Sequence, residues 1–242
     1  MKKTIVALML LCMMTALTAC GTSHAQNQEE ATGTTKNSNS SSAETESAAG
    51  PKEGTSEIIP TGESGGVLVA YFSWADNTEQ DSEIDAISSP SVTIPGDVAQ
   101  LANWVQEGTG GDIFSIRVTE PYPSDWDACL ERGNQEKGDD ARPELVEQVE
   151  NLENYDTIFL GYPNWWYSAP MAIFSFLEEN NLAGKSVYLF CSHGTGGLAS
   201  SVQDISAALP DSTISGNVFD VYEEDASSAQ NEVEDWLSSL GF

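Results

Sequence analysis

Beyond residue 66 the apolar positions of the chain alternate between two patterns. Three short runs, VLVAYF (Val67–Phe72), TIFLGY (Thr157–Tyr162) and SVYLFC (Ser186–Cys191), mix β-branched, aromatic and aliphatic residues. They are too short for ordinary helices and read as strands buried on both faces, as in a parallel sheet. Asp112–Val118 alternates into a further strand, and Thr213–Val221 holds a fifth, interrupted by Gly216. Between these runs the period becomes helical. Val98, Leu101, Ala102 and Val105 stand at i, i+3, i+4 and i+7 within a helix starting at Asp97. A second helix begins at Ser124, carries Trp126, Ala128, Cys129 and Leu130, and fades near Gly138. A third opens at Ala169-Pro170, proline being tolerated in a first turn, and runs through Phe174 and Leu177. Leu198, Val202, Ile205 and Leu209 mark a fourth helix; Val233, Trp236, Leu237 and Leu240 mark a closing one. Strands separated by helices predict a doubly wound parallel sheet, with ligands beyond the carboxyl ends of its strands.

The first 65 residues follow neither pattern. Lys2 and Lys3 precede an apolar stretch, Ile5–Leu17, of signal-peptide length, which ends in Leu17-Thr18-Ala19-Cys20. A cysteine directly after small residues resembles the lipobox of bacterial lipoproteins, with Cys20 lipidated as the mature N-terminus. Gly21–Gly65 is rich in Ser, Thr, Asn, Gln, Glu and Gly, with almost no large apolar residue before Ile58. Such a segment cannot bury a core and is expected to be a disordered tether. As a flexible coil of about 45 residues it would reach roughly 35–40 Å from a membrane. The expectation is an exported protein whose only membrane attachment is its lipid anchor.

Charge narrows the function classes. Nine basic residues against 38 acidic ones leave a formal charge of -29. From Gly66 onward the only basic residues are Arg117, Arg132, Lys137, Arg142 and Lys185. Nucleic acid and anionic lipid surfaces both need clustered Lys and Arg, so neither is an expected partner.

Three strand ends carry unusual residues. After the first strand comes Ser73-Trp74-Ala75-Asp76-Asn77-Thr78, whose hydroxyls, amide and backbone N–H groups suit phosphate oxygens without a lysine. An ordinary strand-to-helix turn would look similar. After the third strand, Pro163-Asn164-Trp165-Trp166 places a rigid residue and two adjacent tryptophans where an exposed loop should be polar. They suit a hydrophobic plug, a sugar platform or a wall against a flat ring. After the fourth, Ser192-His193-Gly194-Thr195-Gly196-Gly197 lets the backbone approach a ligand edge closely.

The runs VAYFSWADNT, GGDIFSIRVTEPYPSDW, TIFLGYPNWWYSAP and SVYLFCSHGTGG, with the closing EDWLSSLG, resemble the flavodoxin-like family over Gly66–Phe242. The resemblance implies a three-layer α/β/α sandwich around a five-stranded parallel sheet of order 2-1-3-4-5, with FMN at its carboxyl edge. It maps the phosphate loop onto Ser73–Thr78. It maps the loops flanking the isoalloxazine onto Pro163–Trp166 and Ser192–Gly196. Two departures stand out. Ala75 and Asp76 replace the family's usual hydroxyl residue and glycine, removing a hydrogen bond worth on the order of 1 kcal/mol. Asp76 also sets a carboxylate beside the phosphate unless it points outward. An insertion, roughly Glu79–Pro95, then delays the first helix or folds over the site.

Other residues read as structural. His193 is the only histidine after Gly66, leaving little for a histidine triad or a multi-histidine metal site. Cys129 and Cys191 lack paired spacing and read as small buried hydrophobes; Tyr122 and Trp126 read as packing. The expectation is a tethered FMN protein that transfers electrons to a redox partner protein or a small-molecule acceptor. Two alternatives are an NAD(P)H-dependent quinone or small-molecule reductase and a flavin-free lipoprotein that binds through its tryptophan edge.

Overall fold

The computed structural model describes residues 65–79 and 88–242. The expected signal peptide, Cys20, the tether and much of the insertion lie outside the described residues. Among those described, no helix is long and apolar enough to cross a membrane.

The strands are β1 (Gly66–Tyr71), β2 (Asp112–Ser115), β3 (Tyr155–Pro163), β4 (Ser186–His193), β5 (Thr213–Ile214) and β6 (Phe219–Tyr222). The helices are α1 (Asp97–Thr109), α2 (Trp126–Gly138), α3 (Met171–Glu179), α4 (Ser201–Ala208) and α5 (Gln230–Leu240). All strand pairs are parallel and the order is β2-β1-β3-β4-β5, with β6 also pairing to β4. The expected fifth strand is therefore two pieces along one edge, divided at the stretch that holds Gly216. The second strand is shorter than its alternation suggests: it stops at Ser115, and Val118 only bridges to Leu145.

Alternation along each strand divides the core into two layers. Leu68 and Ala70, Ile158 and Leu160, and Val187 and Leu189 face α2, α3 and α4, meeting Cys129, Ile173, Phe176 and Ile205. Val69, Phe159 and Phe190 point the other way, into Leu101 and Val105 of α1 and Val233 and Trp236 of α5. Burial on both faces is why these strands read as continuous apolar runs. Gly161 has a packing reason: a Cβ there would stand 2.2 Å from the Phe190 ring.

The loop after β1 is fastened by Asn77. Its buried side-chain amide donates to the carbonyls of Ser73 (2.9 Å) and Ile116 (3.0 Å), and its oxygen accepts from the Val118 N–H (2.8 Å). One side chain thus ties the 3-10 turn Ala75–Asn77 to the chain leaving β2. Asn77→Ala would leave three buried backbone groups without partners, and stability should fall by about 3 kcal/mol. Urea unfolding followed by circular dichroism measures it.

Candidate functional site

Backbone hydrogen bonds continue past the strand ends and bring four loops to one level. Phe72 N donates to Gly161 O (3.0 Å), Asn164 N to Ser192 O (2.8 Å) and Glu223 N to His193 O (2.9 Å). Above this edge, at the reversal of strand order between β1 and β3, lies a cleft of about 460 Å³, a ligand-sized space.

One wall is aromatic. Trp165 and Ser168 exchange backbone hydrogen bonds (2.9 and 3.0 Å), and the two residues between them, Trp166 and Tyr167, have φ of 51° and 65°. This is a hairpin turn with left-handed backbone at both central positions, where Asn-Gly is the usual choice. Side chains with a Cβ are strained there. The turn is held from outside: Trp166 Nε1 donates to Leu130 O (3.0 Å), Lys137 Nζ donates to Trp166 O, and Ser200 Oγ donates to Tyr167 O (2.8 Å). Trp165 is anchored below by edge contacts with Phe72, Tyr122 and Trp74 at ring-centre distances of 5.5, 5.1 and 6.4 Å. Trp166 and Tyr167 remain exposed at the rim. A Cβ at Gly196 would lie 3.3 Å from the Tyr167 ring, so that glycine lets the β4 loop close against it.

The opposite end is polar. Ser73 is buried, lines the cleft, and its Oγ has no hydrogen-bond partner. Gly96 (φ 74°) opens α1 beside it; a Cβ there would stand 2.7 Å from Ser73 Oγ. The Asp97 carboxylate follows, accepting from Ser192 Oγ at 3.2 Å. Burial, against the Ser192 hydrogen bond and with the Glu223 charge adding to it, raises the Asp97 pKa to about 6. Glu223 also lines the cleft and accepts from Ser89 Oγ at 3.2 Å, and Ser89 pairs with Ser91 at 2.7 Å. No lysine or arginine among the described residues lines the cleft.

The structure divides the sequence-predicted residues into two sets. Ser73, Trp74, Pro163, Asn164, Trp165, Trp166, Ser192, His193, Gly194, Thr195 and Gly196 share the cleft. Ala75, Asp76, Asn77 and Thr78 do not line it. Asp76 points outward: its Oδ2 accepts from Tyr71 OH (2.8 Å) and Ser115 Oγ (2.7 Å), on the β2 side. Thr78 Oγ1 donates to Tyr122 O (2.8 Å), so its hydroxyl is occupied by the fold. The Trp74 indole donates to Pro123 O (3.0 Å). His193 is oriented by Asp220 (Nε2, 2.9 Å) and Gly194 O (Nδ1, 2.8 Å). Trp126, expected as packing, also lines the cleft, whereas Tyr122 is core. Both Cys129 and Cys191 are free and buried, and burial pushes both thiols up.

Asp97, Glu223, Ser89 and Ser91 were not among the predicted residues. Parallel topology brings the end of every strand to the same edge, so the Tyr222-Glu223 end was available from the pattern. Asp97 carried the signal of an acidic first helical turn.

A sheet of order 2-1-3-4-5 with a cleft at the β1/β3 reversal defines a flavodoxin-like α/β protein. The sequence pattern described as Flavodoxin matches residues 86–240, and the chain belongs to that family. No curated protein matches the chain. A provisionally named flavoprotein from Bacteroides eggerthii DSM 20697 is 27% identical, with a TM-score of 0.57 over 74% of this chain and 99% of its own. A similarly named one from Bacteroides uniformis ATCC 8492 is 26% identical, with a TM-score of 0.58 over 73% of this chain and 99% of its own. A flavoprotein in complex with FMN from Lactobacillus acidophilus NCFM is 16% identical, with a TM-score of 0.48 over 69% of this chain and 99% of its own.

Because Asp97 binds its proton more tightly folded than unfolded, its contribution weakens as pH rises from 3.8 through about 6, then stays level. Asp97→Asn should therefore raise Tm at pH 7.5 and leave it unchanged near pH 3.5. After allowance for solvent screening the gain is roughly 1–2 kcal/mol, about 2–6 °C by calorimetry.

Proposed function

We propose that this chain is a lipid-anchored flavoprotein, exported from the cytoplasm, that holds FMN in the cleft and exchanges electrons with a redox partner protein or a small-molecule acceptor. The observation that carries the reading is the pairing of features at one sheet edge. A strained aromatic turn stands at one end, and a buried hydroxyl without a partner at the other.

FMN suits both ends. Trp165, Trp166 and Tyr167 supply flat apolar surface on one side of the isoalloxazine, and the Gly194–Gly196 backbone supplies close approach on the other. Ser73 Oγ and the first-turn N–H groups of α1 are the donors for the phosphate. Asp76 is no obstacle, since its carboxylate is committed to Tyr71 and Ser115. Asp97 and Glu223 face the phosphate end, and they suit it when its charge is reduced. The bound flavin supplies one- and two-electron chemistry; the protein excludes water from the ring and sets the local charge.

The acidic excess supports a low potential. Reduction adds negative charge to the flavin, and carboxylates lining the cleft disfavour that step. The Cys20 lipobox and the polar segment after it support attachment outside the cytoplasmic membrane, where the partner would meet an acidic surface.

Purified full chain mixed with FMN at pH 6 should show a red-shifted, structured flavin band that denaturation releases. Failure to bind at micromolar FMN and at micromolar riboflavin overturns the reading. Ser73→Ala should weaken FMN binding several-fold while leaving the apoprotein as stable or slightly more so, because a buried unpaired hydroxyl is removed. Replacing Trp166-Tyr167 by Asn-Gly should stabilise the apoprotein by about 1–2 kcal/mol and weaken flavin binding. In a redox titration the bound flavin should be reduced at a more negative potential than free FMN.

A further inference from the structure

We infer that Asp97, backed by Glu223, is the specificity-determining residue of the cleft: a flavin phosphate enters together with one proton, whereas the unphosphorylated flavin needs none. The inference rests on the FMN reading above and concerns only how the phosphate end discriminates.

Two kinds of group meet at that end. Ser73 Oγ is a buried hydroxyl with no partner on the wall of the cleft, next to the opening of α1 at Gly96. The N-cap of this 13-residue helix is Gly96, which has no side chain with which to cap the first turn. An unpaired buried hydroxyl beside the opening turn of a helix calls for an acceptor, and a phosphate oxygen is one. Against these donors stand the carboxylates of Asp97 and Glu223. A phosphate dianion added to them would gather like charge in a space partly shielded from water. One proton on Asp97 removes a negative charge and turns that side chain from acceptor to donor.

The surroundings leave Asp97 as the group that takes the proton. Ser192, at the end of β4, donates to it, and Glu223, after β6, faces it. His193, also at the end of β4, is engaged by Asp220, while Glu223 is held by Ser89. Ser73, Ser89 and Ser91 contribute hydroxyls and no charge. Burial already keeps the protonated form of Asp97 favoured up to about pH 6, well above the range of an ordinary aspartate. The second ionisation of a phosphate monoester falls at about pH 6, so the shared proton lies in a range both groups can use.

Flavin fluorescence titration of the full chain from pH 5 to pH 8, at constant ionic strength, tests this with FMN and riboflavin as paired probes. For one proton taken up, the FMN dissociation constant should rise about tenfold per pH unit above about pH 7, while that of riboflavin stays nearly flat. Asp97→Asn should tighten FMN at pH 8 by at least about tenfold, flatten its pH profile and leave riboflavin unchanged. Glu223→Gln should shift the FMN profile in the same direction by less. Parallel FMN and riboflavin profiles in the natural chain overturn the inference and leave the flavin reading intact. So does an Asp97→Asn profile that keeps its slope. Should that variant not fold, the two profiles of the natural chain decide alone. If neither flavin binds at any pH, the flavin reading itself falls, and this inference with it.

Discussion

The hydrogen bonds that run past the ends of β1, β3, β4 and β6 keep four loops level. Everything at the cleft depends on that alignment. Phe72 to Gly161, Asn164 to Ser192 and Glu223 to His193 are main-chain contacts, so loop composition varies without moving the loop bases. Ladder geometry places a serine from β1, an aromatic turn from β3, a glycine-rich turn from β4 and a carboxylate from β6 around one space. The side chains then decide only what that space accepts.

Charge is arranged unevenly within it. At the aromatic end the ionic groups are engaged by the turn: the Lys137 ammonium donates to the Trp166 carbonyl, and Asp204 accepts from the hydroxyls of Ser168 and Ser200. The polar end concentrates hydroxyls and two acids. In a domain this acidic, carboxylates at the surface mostly repel one another weakly through water. Asp97 differs because it is partly buried and already perturbed. In the proposed reading the same two acids would disfavour both a dianionic phosphate and an anionic reduced flavin, giving binding and redox behaviour one electrostatic cause.

Most of the fold was legible because burial on both faces gives short uninterrupted apolar runs, and β1, β3 and β4 sit where those runs fall. The fifth strand was legible as an interruption, at Gly216, though not as two pieces. The aromatic and glycine-rich walls of the cleft were equally visible, since adjacent tryptophans and clustered glycines are costly without a purpose. At the other end composition could not separate the residues that line the cleft from those that fasten its loop. Ser73–Thr78 has phosphate-loop composition, yet Asn77 and Thr78 are consumed in fastening the loop, and Asp76 turns towards β2. Composition alone does not reveal which polar side chains the fold itself uses. The insertion had a further effect that spacing hides: it separates Ser73 from the helix that completes its surroundings, so Gly96 and Asp97 return to it from 23 and 24 positions downstream.

The turn at Trp166 and Tyr167 has a consequence for how tightly anything can bind against it. Both residues occupy a backbone region with few alternatives, and hydrogen bonds from α2, the turn itself and the start of α4 hold them there. Freedom that a flexible loop would surrender on meeting a ligand has already been surrendered during folding. The wall is therefore ready-made. A flat partner gains contact without ordering it, and the entropic term of association is shifted into the stability of the empty protein.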